Sequence, residues 1–280
     1  MTMAREDRGD AVKPASMDDW SKMGTFIDPT ARIDAGAELG REVHVGPWCW
    51  VGSNVRLGDG CRLDSMVRLD GWTEIGAANH FHHGAVIGSP PQDLKYRGAP
   101  SNVVIGDGNV FREYSTVNRA TEEGEVTRIG SRCLIMAYAH VAHNCQVGDH
   151  AILANSANLA GHVEVGDYAI IGGVTPVHQF VKIGCHSMIG GGCRVPVDVA
   201  PYTKAAGNPL RVFGLNTVGL ERRGFSQEAQ DALKQVYRIF FRGTLLKDQA
   251  IARIREEVPD LPEVRTFIDF VNRSERGLAR

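Results

Sequence analysis

An aliphatic residue returns at every sixth position through most of this chain, and that period constrains the fold more than any other feature. Stepping by six from Ile27 gives Ile33, Leu39, Val45, Val51, Leu57, Leu63, Leu69, Ile75, Phe81 and Ile87; the phase resumes at Ile105, Phe111 and Val117, and again from Ile129 to Val195. Of 29 positions in phase, 26 are Ile, Leu, Val or Phe, and 13 of those 26 precede a glycine. A repeat of this kind decides the fold before local propensity is consulted. It fits a triangular coil with three short strands as sides, each turning an aliphatic residue inward, with Gly, Asn and Asp at the corners. Three hexapeptides make one coil of 18 residues. Successive coils stack by parallel strand pairing at roughly 4.8 Å, so residues 18 apart lie one above another.

The phase fails only at Asp93, Ala99 and Glu123. Those failures bracket two segments, 89–104 and 118–128, that read as loops thrown out of the coil: Ser89-Pro90-Pro91 opens the first, and Glu122-Glu123-Gly124-Glu125 lies in the second. Function concentrates on such excursions from a rigid scaffold. After Val195 the pattern changes. Pro196, Pro201 and Pro209 punctuate a connector, and Ser226-Gln227-Glu228 then caps a run with Leu233, Val236, Tyr237, Phe240 and Phe241 at helical spacing and Gly243 as its stop. Ile251, Ile254 and Val258 mark a second helix, and Val264, Phe267, Ile268 and Val271 a third. The expected organisation is a β-solenoid over residues 25–200 and a small helical domain over 201–280. Residues 1–24, polar and charged, read as a disordered extension, with an internal start near Met23 as the alternative.

Composition adds limits. The 43% apolar and 23% charged residues belong to a soluble globular protein. No apolar run reaches the ~18 residues of a membrane span, and the first 24 residues lack the apolar stretch of a secretory signal, so a cytoplasmic protein that is not integral to a membrane is expected. The six cysteines include no Cys-x-x-Cys pair. Cys49, Cys61, Cys133, Cys145 and Cys193 each fall four residues after a repeat-defining aliphatic, where a small side chain packs inward. From Ala200 onward 14 Lys/Arg face 10 Asp/Glu, and before it 17 face 23, so the tail stands at +4 and the body at −6. A basic end suits an acidic partner, and a solvated helical face explains the same excess. Nothing in this balance calls for nucleic acid.

Histidines are the informative ionisable groups, because imidazole titrates near neutrality and serves as a general base. Four of the ten cluster: His140 and His143 in Ala139-His140-Val141-Ala142-His143-Asn144-Cys145, His162 in Leu159-Ala160-Gly161-His162, and His178 in Val177-His178-Gln179-Phe180. Adding 18 to His143 gives Gly161, and 18 more gives Gln179, so these three are expected in one column with His162 one residue aside. Three imidazoles could also bind zinc with one position open, as the γ-class carbonic anhydrases do on a similar solenoid. A second spot, Asn79-His80-Phe81-His82-His83, reads as a wall or a trimer contact.

More specific strings follow. Gln92-Asp93-Leu94-Lys95-Tyr96, His140-Val-Ala-His143, Leu153-Ala154-Asn155, Ala160-Gly161-His162-Val163, Val177-His178-Gln179-Phe180, Ala206-Gly207-Asn208-Pro209 and Gly219-Leu220-Glu221-Arg222-Arg223-Gly224-Phe225 together resemble the acyl-carrier-protein-dependent UDP-N-acetylglucosamine O-acyltransferases of lipid A synthesis. The resemblance covers nearly everything after about Phe26. It implies a left-handed parallel β-helix followed by helices, and supplies the handedness, which runs against the right-handed rule for parallel crossovers.

It further implies a cytoplasmic homotrimer, with active sites between subunits, that transfers a 3-hydroxyacyl group from the carrier-protein thioester to the glucosamine 3-hydroxyl without a cofactor or metal. His143 matches the family's general base, and the Gly161 N–H its oxyanion donor. His140, His162, Gln179, Asp93 and Lys95 match substrate-contacting positions, and His178, Asn216, Arg222 and Arg223 match residues near the nucleotide or its phosphates. A guanidinium fork suits a pyrophosphate or an acidic carrier protein. Gly191 aligns with the position that limits acyl-chain length, where glycine leaves room for a longer chain, with Arg194 beside it. Two positions depart from the family. Asn144 stands where Asp often follows the histidine, and Val218 where a Glu commonly follows the nucleotide-contacting Asn.

Other readings share the scaffold: the zinc enzyme, a non-catalytic trimeric scaffold, and an acyltransferase for a 3-amino analogue of the sugar nucleotide. The related glucosamine N-acyltransferases carry a uridine-binding domain ahead of their solenoid, which 24 polar residues are not expected to form.

Overall fold

The computed structural model describes residues 24–280, and the amino-terminal extension expected over 1–24 lies outside them apart from Gly24. The repeat folds into a three-sided, left-handed parallel β-helix. Its sides are sheets of 11, 8 and 8 strands, most of them two residues long. The first sheet runs from Phe26–Ile27 through Ile152–Leu153 to Arg211–Leu215, the second from Arg32–Ile33 to Pro176–Val177, and the third from Glu38–Leu39 to Lys182–Ile183. Pairing is in register at 18 residues outside the excursions, as in His140↔Asn158 and Val147↔Val165, and at 30 or 24 across them, as in Phe81↔Phe111 and Phe111↔Ile135, so each in-phase aliphatic still stacks on another. From Val45 to Val195 these side chains form one buried core, with Phe81 stacked on Phe111 at 4.8 Å between centroids. Cys49, Cys61, Cys133, Cys145 and Cys193 line that core, and burial pushes the Cys145 thiol up to about 12.

The corners differ from the sequence expectation. Among the described residues, sixteen other than glycine hold positive φ, including Tyr138, Asn144, His162, Tyr168, Phe180 and His186. Each left-handed L-residue costs about 1 kcal/mol or more, and stacked rings offset part of that. His150, Tyr168, His186 and Tyr202 form one such ladder, with His150 and Tyr168 4.4 Å apart and 6° from parallel. Several glycines after the aliphatic residue serve close approach instead. A Cβ on Gly166 would come within 2.5 Å of the Cys185 backbone in the next coil, and Gly166 is not at positive φ.

The excursions are narrower than the sequence indicates. Strands Val86–Ser89 and Asn102–Ile105 bound the first, and Thr116–Asn118 and Val126–Ile129 the second. The two pack on each other: Gly124 N–H donates to Pro100 O at 3.3 Å, and the Ser101 hydroxyl donates to Ala120 O.

The sheet also extends past residue 200, into the region expected to be helical. Thr203–Ala206 pairs parallel to Met188–Ile189 and antiparallel to Arg211–Leu215, so a hairpin closes the last coil. Helices α1 (Thr217–Arg222), α2 (Gln227–Tyr237), α3 (Lys247–Glu257) and α4 (Pro262–Arg273) follow, with a π turn at Arg238–Arg242 ending the α2 run. Ser226 caps α2 by accepting from Ala229 N–H at 3.1 Å. Val236, Phe240, Ile251, Ile254, Phe267 and Val271 make a second core. Buried Asp198 fastens the helices to the solenoid, accepting from Lys182 N–H at 2.8 Å and from the Ser274 hydroxyl at 2.7 Å. Among the described residues no helix is long and apolar enough to cross a membrane.

Candidate active site

The corner between the second and third sheets carries the histidine cluster, because strand His140–Val141 delivers His143 onto the turn before strand Gln146–Val147. His143, Gly161 and Gln179 fall at 18-residue intervals, and Asn144, His162 and Phe180 form the adjoining column of left-handed corners. His162 N–H donates to His143 O at 3.1 Å, and the two rings meet edge to face at 5.2 Å. His162 in turn stacks on Phe180 at 4.6 Å.

Gly161 is required by contact. A Cβ there would lie 2.6 Å from His143 Nε2, so the imidazole occupies the space a side chain would need. The neighbouring Ala160 and His162 N–H groups donate to Val177 O and His143 O, while the Gly161 N–H takes no part in that ladder.

On the other side of the ring, His143 Nδ1 lies 3.0 Å from Asn144 Oδ1. Asn144 Nδ2 donates to Glu125 Oε2 at 2.7 Å, and Thr121 donates to Asn144 Oδ1 from its N–H at 3.2 Å and its hydroxyl at 3.1 Å. The hydrogen bond from Asn144 holds the Glu125 carboxyl below the usual carboxylate range.

Burial lowers the pKa of His140, reinforced by His143, and its Nδ1 meets Thr116 Oγ1 at 2.7 Å. Burial also lowers His162, followed by His143, while the charges of Glu125 and Asp93 oppose the shift. Asp93 therefore reaches the histidine corner electrostatically from the first excursion. Its Oδ1 accepts from Lys95 N–H at 2.8 Å, and the Lys95 side chain is exposed. Arg119, which no motif or spacing in the sequence singles out, clamps this loop: Nη1 donates to Gly88 O at 2.9 Å, and Nε and Nη2 donate to the Tyr96 hydroxyl at 3.2 and 3.1 Å.

Of the remaining expected residues, His178 and Gln179 share this corner and the others lie elsewhere on the prism. His178 and Gln179 are exposed on the histidine corner, with His178 Nδ1 3.2 Å from Gln179 O. Asn216 is buried at the start of α1 and donates to His186 O at 3.0 Å, at the corner between the third and first sheets. Arg223 donates to Gly219 O at 3.2 Å and lies 4.9 Å over the Tyr168 ring, whereas Arg222 points to solvent. Burial, followed by the Arg223 charge, lowers His186 to about 4. Val218 is exposed on α1, and its alkyl side chain offers no acceptor there. Gly191 is on the third corner, where a Cβ would come 3.2 Å from Gly173 O, with Arg194 exposed nearby. One copy of the chain thus distributes the expected site over three edges.

Among the described residues, the group of three whose ligand atoms converge within 4.8 Å is Asp64, His80 and His82, not the set around His143. Asp64 bridges His80 Nε2 at 2.9 Å and His82 Nδ1 at 3.1 Å, and Arg62 Nε lies 2.9 Å away. Arg112 pairs with Glu113 beside them at 3.0 Å. Two guanidinium groups oppose a bound cation, so the cluster reads as an ion-pair network. His83 bridges Ser65 and Tyr114 at 2.8 and 2.9 Å.

Comparison with known proteins follows the same geometry. Residues 198–279 match the family described as UDP N-acetylglucosamine O-acyltransferase, domain 2, and residues 127–161 match the bacterial transferase hexapeptide of six repeats. An acyl-[acyl-carrier-protein]–UDP-N-acetylglucosamine O-acyltransferase of Thermodesulfovibrio yellowstonii is 46% identical over 91% of this chain and 99% of its own. One from Syntrophobacter fumaroxidans is also 46% identical, with the same coverage. Among solved structures, the UDP-N-acetylglucosamine O-acyltransferase of Moraxella catarrhalis superposes with a TM-score of 0.87 at 42% identity, covering 91% of this chain and 99% of that one. The acyltransferase of Francisella novicida gives 0.88 at 36% identity, covering 91% and 94%.

Proposed function

The chain belongs to the UDP-N-acetylglucosamine O-acyltransferase family and is an acyltransferase; from that premise we propose that it moves a 3-hydroxyacyl chain from acyl carrier protein to the glucosamine 3-hydroxyl of UDP-N-acetylglucosamine, in the cytoplasm, as the first step of lipid A synthesis. The observation that carries the chemistry is the environment of His143. Its Nδ1 is engaged by Asn144 Oδ1, which fixes the proton on that nitrogen and leaves Nε2 as the free lone pair, facing Gly161.

In this reading Nε2 removes the proton of the sugar 3-hydroxyl while the oxygen attacks the thioester carbonyl carbon. The carbonyl oxygen takes up negative charge and accepts a hydrogen bond from the Gly161 N–H, a donor the coil ladder leaves unused. Collapse breaks the carbon–sulfur bond. The departing carrier thiolate takes the proton from His143 Nε2, so the base is regenerated and no covalent enzyme intermediate forms.

Asp93, Lys95, His140, His162 and Gln179 are assigned to the sugar and acyl substrates, and His178, Asn216, Arg222 and Arg223 to the nucleotide and its phosphates. Gly191 is assigned to the far end of the acyl chain. Their distribution over three edges of one prism supports a homotrimer, in which edges of neighbouring copies face each other and complete a site. The basic helical end supports docking of an acidic carrier protein.

The test incubates the full chain with UDP-N-acetylglucosamine and a series of 3-hydroxyacyl carrier proteins of different chain length. Expected is an acylated sugar nucleotide whose new linkage is cleaved by hydroxylamine, as an ester is. An amide product formed only with the 3-amino sugar nucleotide, or no product with any chain length, overturns the reading.

A further inference from the structure

A carboxylate stands two hydrogen bonds from His143, with one amide between them. The motivating observation is a chain of contacts across 19 residues: His143 Nδ1 to Asn144 Oδ1 at 3.0 Å, then Asn144 Nδ2 to Glu125 Oε2 at 2.7 Å. An amide has one accepting and one donating end, so it transmits orientation in one direction only. The two oxygen-facing donors from Thr121 and the carboxylate at the nitrogen end fix which end is which. Reversing the amide would set its oxygen against the Glu125 carboxylate and its NH₂ against the Thr121 N–H.

We propose that Glu125, through Asn144, is the positioning residue that fixes the tautomer of His143 and supplies the negative charge that stabilises the imidazolium formed as the sugar hydroxyl is deprotonated. This rests on the assignment of His143 as the base. Glu125 is itself held in place, its Oε2 accepting from Glu122 N–H at 3.1 Å, while the Thr121 hydroxyl, 3.3 Å away, gives its one proton to the nearer Asn144 Oδ1. The Asn144 backbone is pinned from the other side, its N–H donating to Thr127 Oγ1 at 2.8 Å. The second excursion therefore carries the carboxylate to a corner whose own residues are uncharged or imidazole. The other ionisable groups around His143 are His140 and His162, whose own pKa values its charge lowers, and Asp93, which acts on His162. Glu125 is the carboxylate connected to His143 by hydrogen bonds.

The experiment measures kcat, KM and the pH profile of kcat/KM for Glu125→Gln, Asn144→Asp and the double variant, in the full chain. In Glu125→Gln the side-chain oxygen still accepts from Asn144, so geometry survives and charge is lost. Expected is a fall in kcat of about threefold to tenfold, KM within about twofold, and an acid limb moved about half a pH unit lower. Asn144→Asp alone sets two carboxylates against each other and is expected to lose more activity than the same change made in the Glu125→Gln background. In that background it restores kcat to within about threefold of the parent, because the charge then sits directly on Nδ1. An unchanged profile in Glu125→Gln, or an Asn144→Asp effect that is identical in both backgrounds, overturns the proposal. His143→Ala separates the two readings. Retained turnover there removes the base assignment, whereas lost turnover beside a silent Glu125→Gln removes only the relay.

Discussion

The imidazole of His143 occupies the volume that a side chain at residue 161 would need, with Nε2 2.6 Å from the place of a Cβ on Gly161. The proposed base and its proposed oxyanion donor are therefore locked together by packing, one coil apart.

Gly161→Ala tests that lock. The added methyl group displaces the ring and moves the donor, so kcat is expected to fall by about 10²-fold or more, the scale of losing one oxyanion donor. Gly161 does not hold positive φ, and its neighbours keep the backbone ladder, so the melting temperature should change by only a few degrees. Steady-state kinetics beside a thermal melt checks both parts, and a variant retaining half the parental kcat contradicts the lock.

Arg119 holds the loop that carries Asp93 and Lys95, through Gly88 O and the Tyr96 hydroxyl. Arg119→Ala is expected to raise KM for the sugar nucleotide by about fivefold to tenfold, with a smaller effect on kcat, since the loss is one of placement. Limited proteolysis should find new cleavage within 92–98. Unchanged KM together with unchanged proteolysis contradicts the clamp.

His186 gives the protein a built-in sensitivity to mild acid. Its folded pKa, about 4, lies below its ordinary value of 6.5, so the unfolded chain binds a proton that the folded chain refuses. Its contribution is fully present above pH 6.5 and is lost as pH falls from 6.5 to 4. Discounted for partial exposure, the loss is about 1–2 kcal/mol. His186→Phe keeps the stack between Tyr168 and Tyr202, whose corners already carry rings at positive φ. Its melting temperature should decline less over that window than the parent's, and parallel declines contradict the assignment.

The sequence made the solenoid readable because one period runs through it: the aliphatic at every sixth residue predicts the sheets, and the 18-residue coil predicts the His143, Gly161 and Gln179 column. What it left hidden depends on paths that no period describes. Glu125 is 19 residues from Asn144, one step off the coil register and inside an excursion, so no spacing rule pairs them. The Glu122-Glu123-Gly124-Glu125 run marks only the position of the second loop. Arg119 was hidden for the same reason. The glycines after the aliphatic residues suggested turns with unusual backbone angles. Those angles fall instead on Tyr138, His162 and Phe180, whose ring stacks are visible only once the coils are closed. The hairpin of Thr203–Ala206 and Arg211–Leu215 was masked by the prolines around it, which read as a connector.

The most direct measurement compares the parent and His143→Ala for formation of O-acylated UDP-N-acetylglucosamine from a 3-hydroxyacyl carrier protein, followed by mass spectrometry on preparations of matched stability. With His143 as general base, product forms with the parent and kcat falls about 10²- to 10⁴-fold in the variant. Undiminished product formation by His143→Ala contradicts that role.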